Sequence, residues 1–283
     1  MLRLALPTAV LLLCTAVLGC EPEPPDDPTT ADRPTLETRA DSVAMSLYDA
    51  LGGPEAWATV PYLRFNFAVG QDGDPNVVAR HLWDKQGGDY RLEWDAGEDT
   101  TYVALFDVDA FGEDGRGADD FEAAGQVYQN GEAVEDDANA EYMEQAHQRY
   151  VNDTYWLLAP VKTFDPGVNR EYVADSSDAE TEVITLTFGE VGLTPDDQYW
   201  LYVDQETERL VQWAFHLQDM DEDDPPSFFE WTGYESFDVP GGTVHLSTQK
   251  PAVGNGTTIY TDALDVPESV PDDLFDDPEP RLD

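Results

Sequence analysis

Many short segments of this chain alternate strictly between apolar and polar residues, and this alternation constrains its fold more than any other feature. The first is LRFNF at 63–67, and the same period recurs at 90–95, 184–188 and 211–217. Successive side chains of a β-strand point to opposite faces, so each segment has one apolar and one polar face. The pattern predicts antiparallel strands that are covered on one side only.

Other segments have strand composition without such strict alternation. These further candidate strands are 77–83, 101–108, 198–204, 228–237, 243–248 and 257–264. Turn residues, chiefly Gly, Asp and Pro, separate the candidates at 86–89, 95–98, 204–207 and 240–242. About ten short strands joined by tight turns predict an antiparallel meander.

Helical spacing precedes the predicted strands. Apolar residues recur every three or four positions between Leu36 and Leu51, and Gly52-Gly53 follow as a helix stop. This predicts a first helix at 35–51 and a short second one at 54–59.

An insertion interrupts the meander between residues 109 and 166. Its Gly-rich and acidic first part predicts a surface loop, whereas 135–150 has helical spacing. Four consecutive large apolar residues then follow, namely Tyr155, Trp156, Leu157 and Leu158. No single helix face buries all four, so we expect them to pack as a short lid or plug against the sheet.

The composition of residues 35–266 predicts one domain rather than two. Residues 35–266 contain no repeat and no break in composition, so we expect them to fold together. Residues 267–283 are acidic and contain prolines, which predicts a frayed tail.

The first residues have the layout of a secretory signal. One cation, Arg3, precedes an apolar run at 4–18 that is too short for a membrane-spanning helix. We therefore expect residues 1–19 to be a signal peptide.

The end of this signal resembles a lipobox, the motif at which bacterial lipoproteins are cut and acylated. Residues 17–20 read VLGC, which predicts cleavage between Gly19 and Cys20 and lipidation of Cys20. The other cysteine, Cys14, would be removed with the signal, so Cys20 would be the only thiol left. An ordinary secretory signal with an incidental cysteine is the alternative.

Residues 20–34 fit a tether between lipid and domain. They are rich in proline and acidic residues, so they favour an extended, solvated backbone. At about 3.1 Å per residue, the tether could hold the domain roughly 40 Å from the bilayer.

The charge of the chain restricts its partners. Sixty acidic residues face fourteen Lys and Arg, a net charge of −46, which excludes nucleic acid and disfavours docking of the folded surface on anionic lipids. Loss of residues 1–19 removes one cation and no acid, so −46 becomes −47. Such acidity is typical of proteins that work in concentrated salt, where the Debye length is about 3 Å at 1 M. We therefore expect the protein to be halophilic and to lose stability at low salt.

Five short sequence segments support a resemblance to a known family. They are LGGPEAW at 51–57, YWLLAP at 155–160, DPGV at 165–168, GLTPD at 192–196 and YWLYVD at 199–204. They resemble an uncharacterised group of bacterial envelope lipoproteins, which is similar to the LolA/LolB-like lipoprotein-carrier superfamily. The resemblance implies an α+β fold, mainly β. It would contain a curved antiparallel half-barrel sheet of about ten strands, an N-terminal helix and an inserted helical lid.

The resemblance also implies a function. The protein would be a non-catalytic envelope lipoprotein, preferably of the outer membrane, that binds a lipid, a lipoprotein acyl chain or another hydrophobic ligand. Because this chain carries its own anchor, a fixed acceptor is favoured over a shuttle. The candidate pocket or lid residues are Tyr155, Trp156, Leu157, Leu158, Trp200 and Trp213. The alternative for these side chains is that they fill the core of a structural or protein-interaction module.

Motifs for metals, cofactors and catalysis give little support to other functions. Asp219, Asp221, Asp223 and Glu230 occupy positions 1, 3, 5 and 12 of a calcium loop, but Asp224 stands where the sixth position requires glycine. We therefore treat them as an acidic loop between strands and predict no cofactor. The four histidines are far apart in sequence and form no catalytic motif. An anchored hydrolase is therefore the least favoured alternative.

Overall fold

The computed structural model describes residues 33–71, 74–112, 117, 121–189 and 191–282. The predicted signal peptide, the predicted lipidation site at Cys20 and nearly all of the predicted tether at 20–34 lie outside these residues. Fourteen strands and four α-helices occur within the described ranges. None of these helices is both long and apolar enough to cross a membrane.

Three of the four helices begin near the predicted positions, whereas α3 lies in the segment predicted to be a surface loop. Their bounds are Arg39–Ala50 (α1), Gly53–Trp57 (α2), Phe121–Ala124 (α3) and Asp136–Leu158 (α4). Helix α1 begins after Thr38, whose hydroxyl accepts a hydrogen bond from the backbone N–H of Asp41. The Asp41 carboxylate accepts one in return from the backbone N–H of Thr38, at 3.0 Å. This reciprocal capping box fixes the start of the helix.

The strands alternate with tight turns over most of the chain. Their bounds are Tyr62–Gln71 (β1), Asp74–Asp84 (β2), Asp89–Asp95 (β3), Thr101–Asp107 (β4), Gly125–Gln129 (β5), Glu132–Ala133 (β6), Val168–Tyr172 (β7), Thr181–Phe188 (β8), Gln198–Asp204 (β9), Leu210–His216 (β10), Ser227–Glu230 (β11), Thr232–Val239 (β12), Gly242–Pro251 (β13) and Thr257–Asp265 (β14).

These strands form two antiparallel sheets. The larger sheet has the order β12-β13-β14-β1-β2-β3-β4-β5-β6, and the smaller has the order β11-β10-β9-β8-β7. The larger sheet is curved and does not close, since β12 and β6 remain its two edges. The predicted mainly-β α+β class with a half-barrel sheet is confirmed, although fourteen described strands in two sheets replace about ten in one.

The predicted strand 228–237 changes sheets at Trp231. Strand β11 pairs with β10 in the smaller sheet, whereas β12 pairs with β13 in the larger one. A single bridge between Phe229 and Ala252 also joins the two sheets. Alternation predicts that both halves are extended, but it does not predict a change of partner, because pairing joins residues that are distant in sequence.

Helix α4 crosses one face of the larger sheet. It contacts β5 near one edge and β13 near the other. Met143 and Ala146 are buried in the core that this face forms, and the aromatic rings of β3 and β4 lie in the same core. The helix thus occupies the position expected for the inserted lid.

The four apolar residues after the predicted helix belong to α4 itself, which continues to Leu158 and not to residue 150 as predicted. Leu157 and Leu158 pack in the core of the larger sheet, Tyr155 packs in that of the smaller sheet, and Trp156 contacts both. Because the helix ends between two sheets, more than one of its faces is buried, and a regular helix accommodates all four.

The smaller sheet has its own core. Helix α1 contributes Val43 and Leu47, which are buried against Ile184 of β8 and Leu201 of β9. Trp213 of β10 completes this core beside the end of α4. The two cores therefore meet at the last turn of α4.

The C-terminal residues are packed and not frayed, which corrects the sequence prediction for 267–283. Leu274 and Leu282 are buried against Leu82 of β2. The buried Arg91 donates hydrogen bonds to the backbone carbonyls of Leu274 and Asp277, both at 2.7 Å. A buried cation needs partners, and carbonyl groups of the tail supply them.

Candidate functional site

A cleft of about 430 Å³ lies between helix α4 and the strands β1 and β2. It is open to solvent on one side. Its lining residues are Phe67, Val69, Val78, Gln145, Gln148, Arg149, Asn152 and Asp153.

The sheet side of the cleft is apolar. Phe67 and Val69 lie two residues apart on β1, so they share the face that carries α4. Val78 of β2 stands beside them, where the pairing of β1 with β2 shifts by one residue. Phe67 is almost fully buried, whereas 36% of Val69 is exposed. The cleft therefore has an apolar floor that is only partly covered.

The helix side of the cleft is polar. Its five residues are Gln145, Gln148, Arg149, Asn152 and Asp153. They lie at positions i, i+3, i+4, i+7 and i+8, which form one stripe along a helix. An amphipathic ligand could therefore place its apolar part on the sheet and its polar part against the helix.

A buried polar chain connects the cleft wall to the sheet. His81 of β2 is fully buried, and its Nε2 lies 3.1 Å from Oδ2 of Asp153. Its Nδ1 lies 2.8 Å from the hydroxyl of Tyr90. Burial raises the pKa of Tyr90 well above its ordinary value, so the hydroxyl keeps its proton and can donate to Nδ1. Nε2 then donates to Asp153, which fixes α4 to the sheet beside the cleft.

Arg149 lies at the boundary between the two walls. One of its terminal nitrogens, Nη1, donates to the backbone carbonyl of Val78 at 3.4 Å. The guanidinium carbon lies 5.7 Å from the ring centroid of Trp94. The side chain thus spans from the helix to the apolar floor, with its charged group beside the cleft.

Three of the six predicted pocket residues come together at the end of α4. The ring of Trp213 lies 4.6 Å from that of Trp156 and 5.9 Å from that of Tyr155. Leu157 and Leu158 follow in the helix and are buried in the core of the larger sheet. These side chains are packed against one another and line none of the cleft.

Trp200, the sixth predicted residue, points away from this cluster. The ring of its neighbour Tyr199 lies 5.4 Å from Tyr155 and 5.2 Å from Trp213. Because adjacent residues of a strand face opposite sides, Trp200 lies on the other face of β9, across from Ala214. The sequence YW at 199–200 contains one ring for each face, and composition alone does not indicate which ring is inside.

The acidic loop residues lie on the surface between two strands of the smaller sheet. Asp219, Asp221 and Asp223 lie in the exposed connection between β10 and β11, and Glu230 ends β11. No group of three His, Cys, Asp or Glu side chains within the described ranges could hold a metal ion. The two prolines at 225–226 and the missing glycine depart from the calcium-loop pattern.

The residues of the cleft are not among the predicted pocket residues. His81 and Asp153 are 72 positions apart, so no local motif could connect them. Part of the polar stripe could have been detected, because Gln145, Gln148 and Arg149 share one face of the predicted helix 135–150. Asn152 and Asp153 lie beyond that predicted helix.

Comparison with solved structures finds similar folds at low sequence identity. A DUF1329 family protein from Desulfovibrio piger is 11% identical with a TM-score of 0.42, over 83% of this chain and 95% of that one. A LolA superfamily protein from Nitrosomonas europaea is 11% identical with a TM-score of 0.42, over 84% of this chain and 98% of that one. Matches of this size carry no information on the ligand.

No protein-family model matches the chain, and no curated protein matches it.

Proposed function

We propose that this protein is a lipid-anchored envelope protein that binds a lipid, an acyl chain or another hydrophobic ligand in the cleft beside α4. Binding would be non-catalytic, and the anchor on Cys20 would keep the domain at the membrane, preferably the outer membrane. The observation that carries the proposal is the 430 Å³ cleft with its partly exposed apolar floor.

The size and lining of the cleft support a small apolar ligand. Ligand pockets commonly measure about 300–1,000 Å³ and combine apolar walls with a few polar groups. The cleft lies near the lower end of that range, with apolar side chains on the strands and polar side chains on the helix. A ligand that covers Val69 and Val78 would remove apolar surface from water, worth about 25 cal/mol per Å².

Binding can be tested with oleyl alcohol, a neutral single-chain probe, added to the detergent-free domain and followed by native mass spectrometry. Val69→Asp places a charge on the floor of the cleft and should abolish binding. Val211→Asp is the matched control, because Val211 also lies on a strand and is 39% exposed against 36% for Val69. Equal binding by both variants, or no binding by the wild-type protein, would contradict a hydrophobic ligand in this cleft.

Anchoring can be tested in the full chain by membrane fractionation. Cys20→Ala should release the protein from membranes, since acylation needs the thiol. Cys14→Ala is the control, because that residue lies within the predicted signal and should leave fractionation unchanged. Continued membrane association of Cys20→Ala would count against the lipobox.

The filled core of the smaller sheet favours a second candidate, a structural or protein-interaction module. The predicted lid residues Trp156 and Leu157 are packed against neighbours in the two cores and do not line the cleft. If the wild-type domain carries no lipid after detergent-free purification and binds no oleyl alcohol, this second candidate replaces the first.

A further inference from the structure

The cations of this acidic chain are mostly paired with carboxylates. The ion pairs of the described arginines are Arg33 with Asp49 and Glu55, Arg39 with Glu182, Arg80 with Asp95, Arg91 with Glu93, Arg170 with Asp41, and Arg281 with Asp273 and Asp277. With 60 acidic residues for 14 Lys and Arg, such pairing is expected.

Arg149 differs from these arginines. Among the described residues no carboxylate lies within ion-pair distance of its guanidinium, and its one hydrogen bond is the 3.4 Å contact with the carbonyl of Val78. A guanidinium has five N–H donors, so most of the Arg149 donors have no partner in the described part of the chain. This cation lines the cleft.

The acidic residue among those lining the cleft, Asp153, already has hydrogen-bond partners in the protein. Asp153 lies one helical turn after Arg149 and also lines the cleft. Its Oδ2 is bonded to His81, and its Oδ1 accepts from Nδ2 of Asn152 at 2.7 Å. Both oxygens of Asp153 thus have partners in the protein, and Arg149 forms no ion pair with it among the described residues, so the guanidinium is available to a ligand.

We propose that the cleft binds an amphiphile with one acyl chain and an anionic head group, a carboxylate or a phosphate, that pairs with Arg149. This inference rests on the proposed function, which supplies the apolar part of the ligand. The chain would lie on Phe67, Val69 and Val78, and the head group would accept hydrogen bonds from the guanidinium. A guanidinium fits the two oxygens of a carboxylate or phosphate better than any neutral head group.

The charge of the rest of the protein makes this cation selective. A chain with a net charge of −46 repels anions at long range, so an anionic ligand needs a local cation to overcome that repulsion. Salt shortens the range of the repulsion to a few ångströms, while a direct contact with Arg149 is less screened. The preference for an anionic head group should therefore persist in concentrated salt.

The test compares oleate and oleyl alcohol, which share the chain and differ in the head group. Titration calorimetry at pH 8, where oleate is ionised, should give a Kd about ten-fold lower for oleate, since a hydrogen bond to a charged group contributes that much. Oleyl phosphate, measured in the same way, shows whether a phosphate is preferred to a carboxylate. Acetate and inorganic phosphate should not bind measurably, because they lack the apolar chain.

Variants then assign the preference to Arg149. Arg149→Gln should reduce the ratio of the two affinities to about one while oleyl alcohol still binds, and Arg149→Lys should leave an intermediate ratio. Arg209→Gln is the control, because Arg209 lies over the ring of Tyr234 and does not line the cleft. Thermal unfolding of each variant verifies that it is folded.

The outcomes separate this inference from the proposed function. Equal affinities of the wild-type protein for oleate and oleyl alcohol would overturn the anionic preference and leave the hydrophobic cleft standing. A preference that survives in Arg149→Gln would also overturn it. If neither probe binds, the proposed function itself fails.

Discussion

Two consecutive segments of helix α4 pack in different ways. From Gln145 to Asp153 the helix presents polar side chains to β1 and β2 and leaves a cleft of about 430 Å³. From Tyr155 to Leu158 it presents large apolar side chains to both sheets, and these pack in the cores of the two sheets. One continuous helix therefore has an open part and a filled part.

The difference shows that a helix over a half-barrel does not by itself create a cavity. Where aromatic rings from helix and strands interdigitate, as Trp156 and Trp213 do at 4.6 Å, they occupy the available volume. Where polar side chains line the helix, they remain at the solvent boundary and leave the apolar strand residues partly uncovered. The polar stripe, and not the aromatic cluster, marks the candidate site.

The largest effect is expected in the filled part. Trp213→Ala removes a ring that is 1% exposed and contacts Trp156, Tyr199 and Trp231. It should lower the free energy of unfolding by about 4 kcal/mol, because the cavity cannot collapse completely. Urea denaturation measures this loss.

Binding of oleyl alcohol by folded Trp213→Ala should be unchanged. Loss of binding at a protein concentration and temperature where the variant is fully folded would place the ligand in the filled part after all.

The open part should respond strongly to loss of the buried contact with Asp153. His81→Leu leaves that carboxylate, which is only 3% exposed, without its imidazole partner. We expect a loss of about 3 kcal/mol, since an uncompensated buried charge is costly. Urea denaturation of His81→Leu and of the wild-type protein measures this loss. The double variant His81→Leu/Asp153→Leu should recover part of the loss, and equal destabilisation of the single and double variants would argue against the pair.

Acid should weaken the attachment of the helix through His147. This residue of α4 is 1% exposed, both of its ring nitrogens lack a partner in the described structure, and its ring lies 4.3 Å from that of Phe111. Burial lowers the pKa of His147 from 6.5 to about 4. Between these values the unfolded chain binds more protons, so stability is complete above pH 6.5 and falls as the pH decreases towards 4.

Chemical denaturation at several pH values tests this effect. Between pH 7 and pH 4.5 the wild-type protein should lose about 2 kcal/mol more than His147→Phe, which packs similarly and cannot be protonated. The carboxylates of the chain titrate in both proteins, so the difference between the two curves isolates His147. Parallel curves would show that His147 is not buried in its neutral form.

The smallest effect is expected at Trp200, which lies on the far face of the smaller sheet. Trp200→Ala should change the free energy of unfolding by less than about 1 kcal/mol and leave ligand binding unchanged, because a partly exposed side chain loses few contacts. Tyr199→Ala is the matched comparison and should cost about 3 kcal/mol, since its ring packs against Tyr155 and Trp213. Thermal unfolding compares them, and a reversed order would mean that the face assignment is wrong.

Periodicity predicted most of the fold. The alternating segments at 63–67, 90–95 and 184–188 all lie within strands, and the first helix and its glycine stop are confirmed. The strands that it missed, β5, β6 and β7, are five residues long or shorter. In so few residues an alternation of two is not distinguishable from chance, and pairing with a neighbouring strand supplies the missing stabilisation.

The cleft was much less predictable from the sequence. Phe67, Val78 and Arg149 come from three separate elements, and their proximity depends on where α4 crosses the sheet. The predicted pocket residues were chosen for their apolar character, which also describes a filled core. Composition indicates that a side chain prefers to leave water, but it does not indicate whether protein or ligand covers it.

The sequence by itself determined the strand and helix segments, the excess of negative charge and the signal that predicts lipidation of Cys20. These properties are local, because they follow from the period, the charge or the composition of neighbouring residues. Only the tertiary structure decided that Trp231 separates two sheets and that the C-terminal tail covers Arg91. It also decided that Asp153 is bound to His81, while Arg149 has no carboxylate partner among the described residues. Those outcomes depend on contacts between residues that are distant in sequence, and the packing of the whole chain determines which of them form.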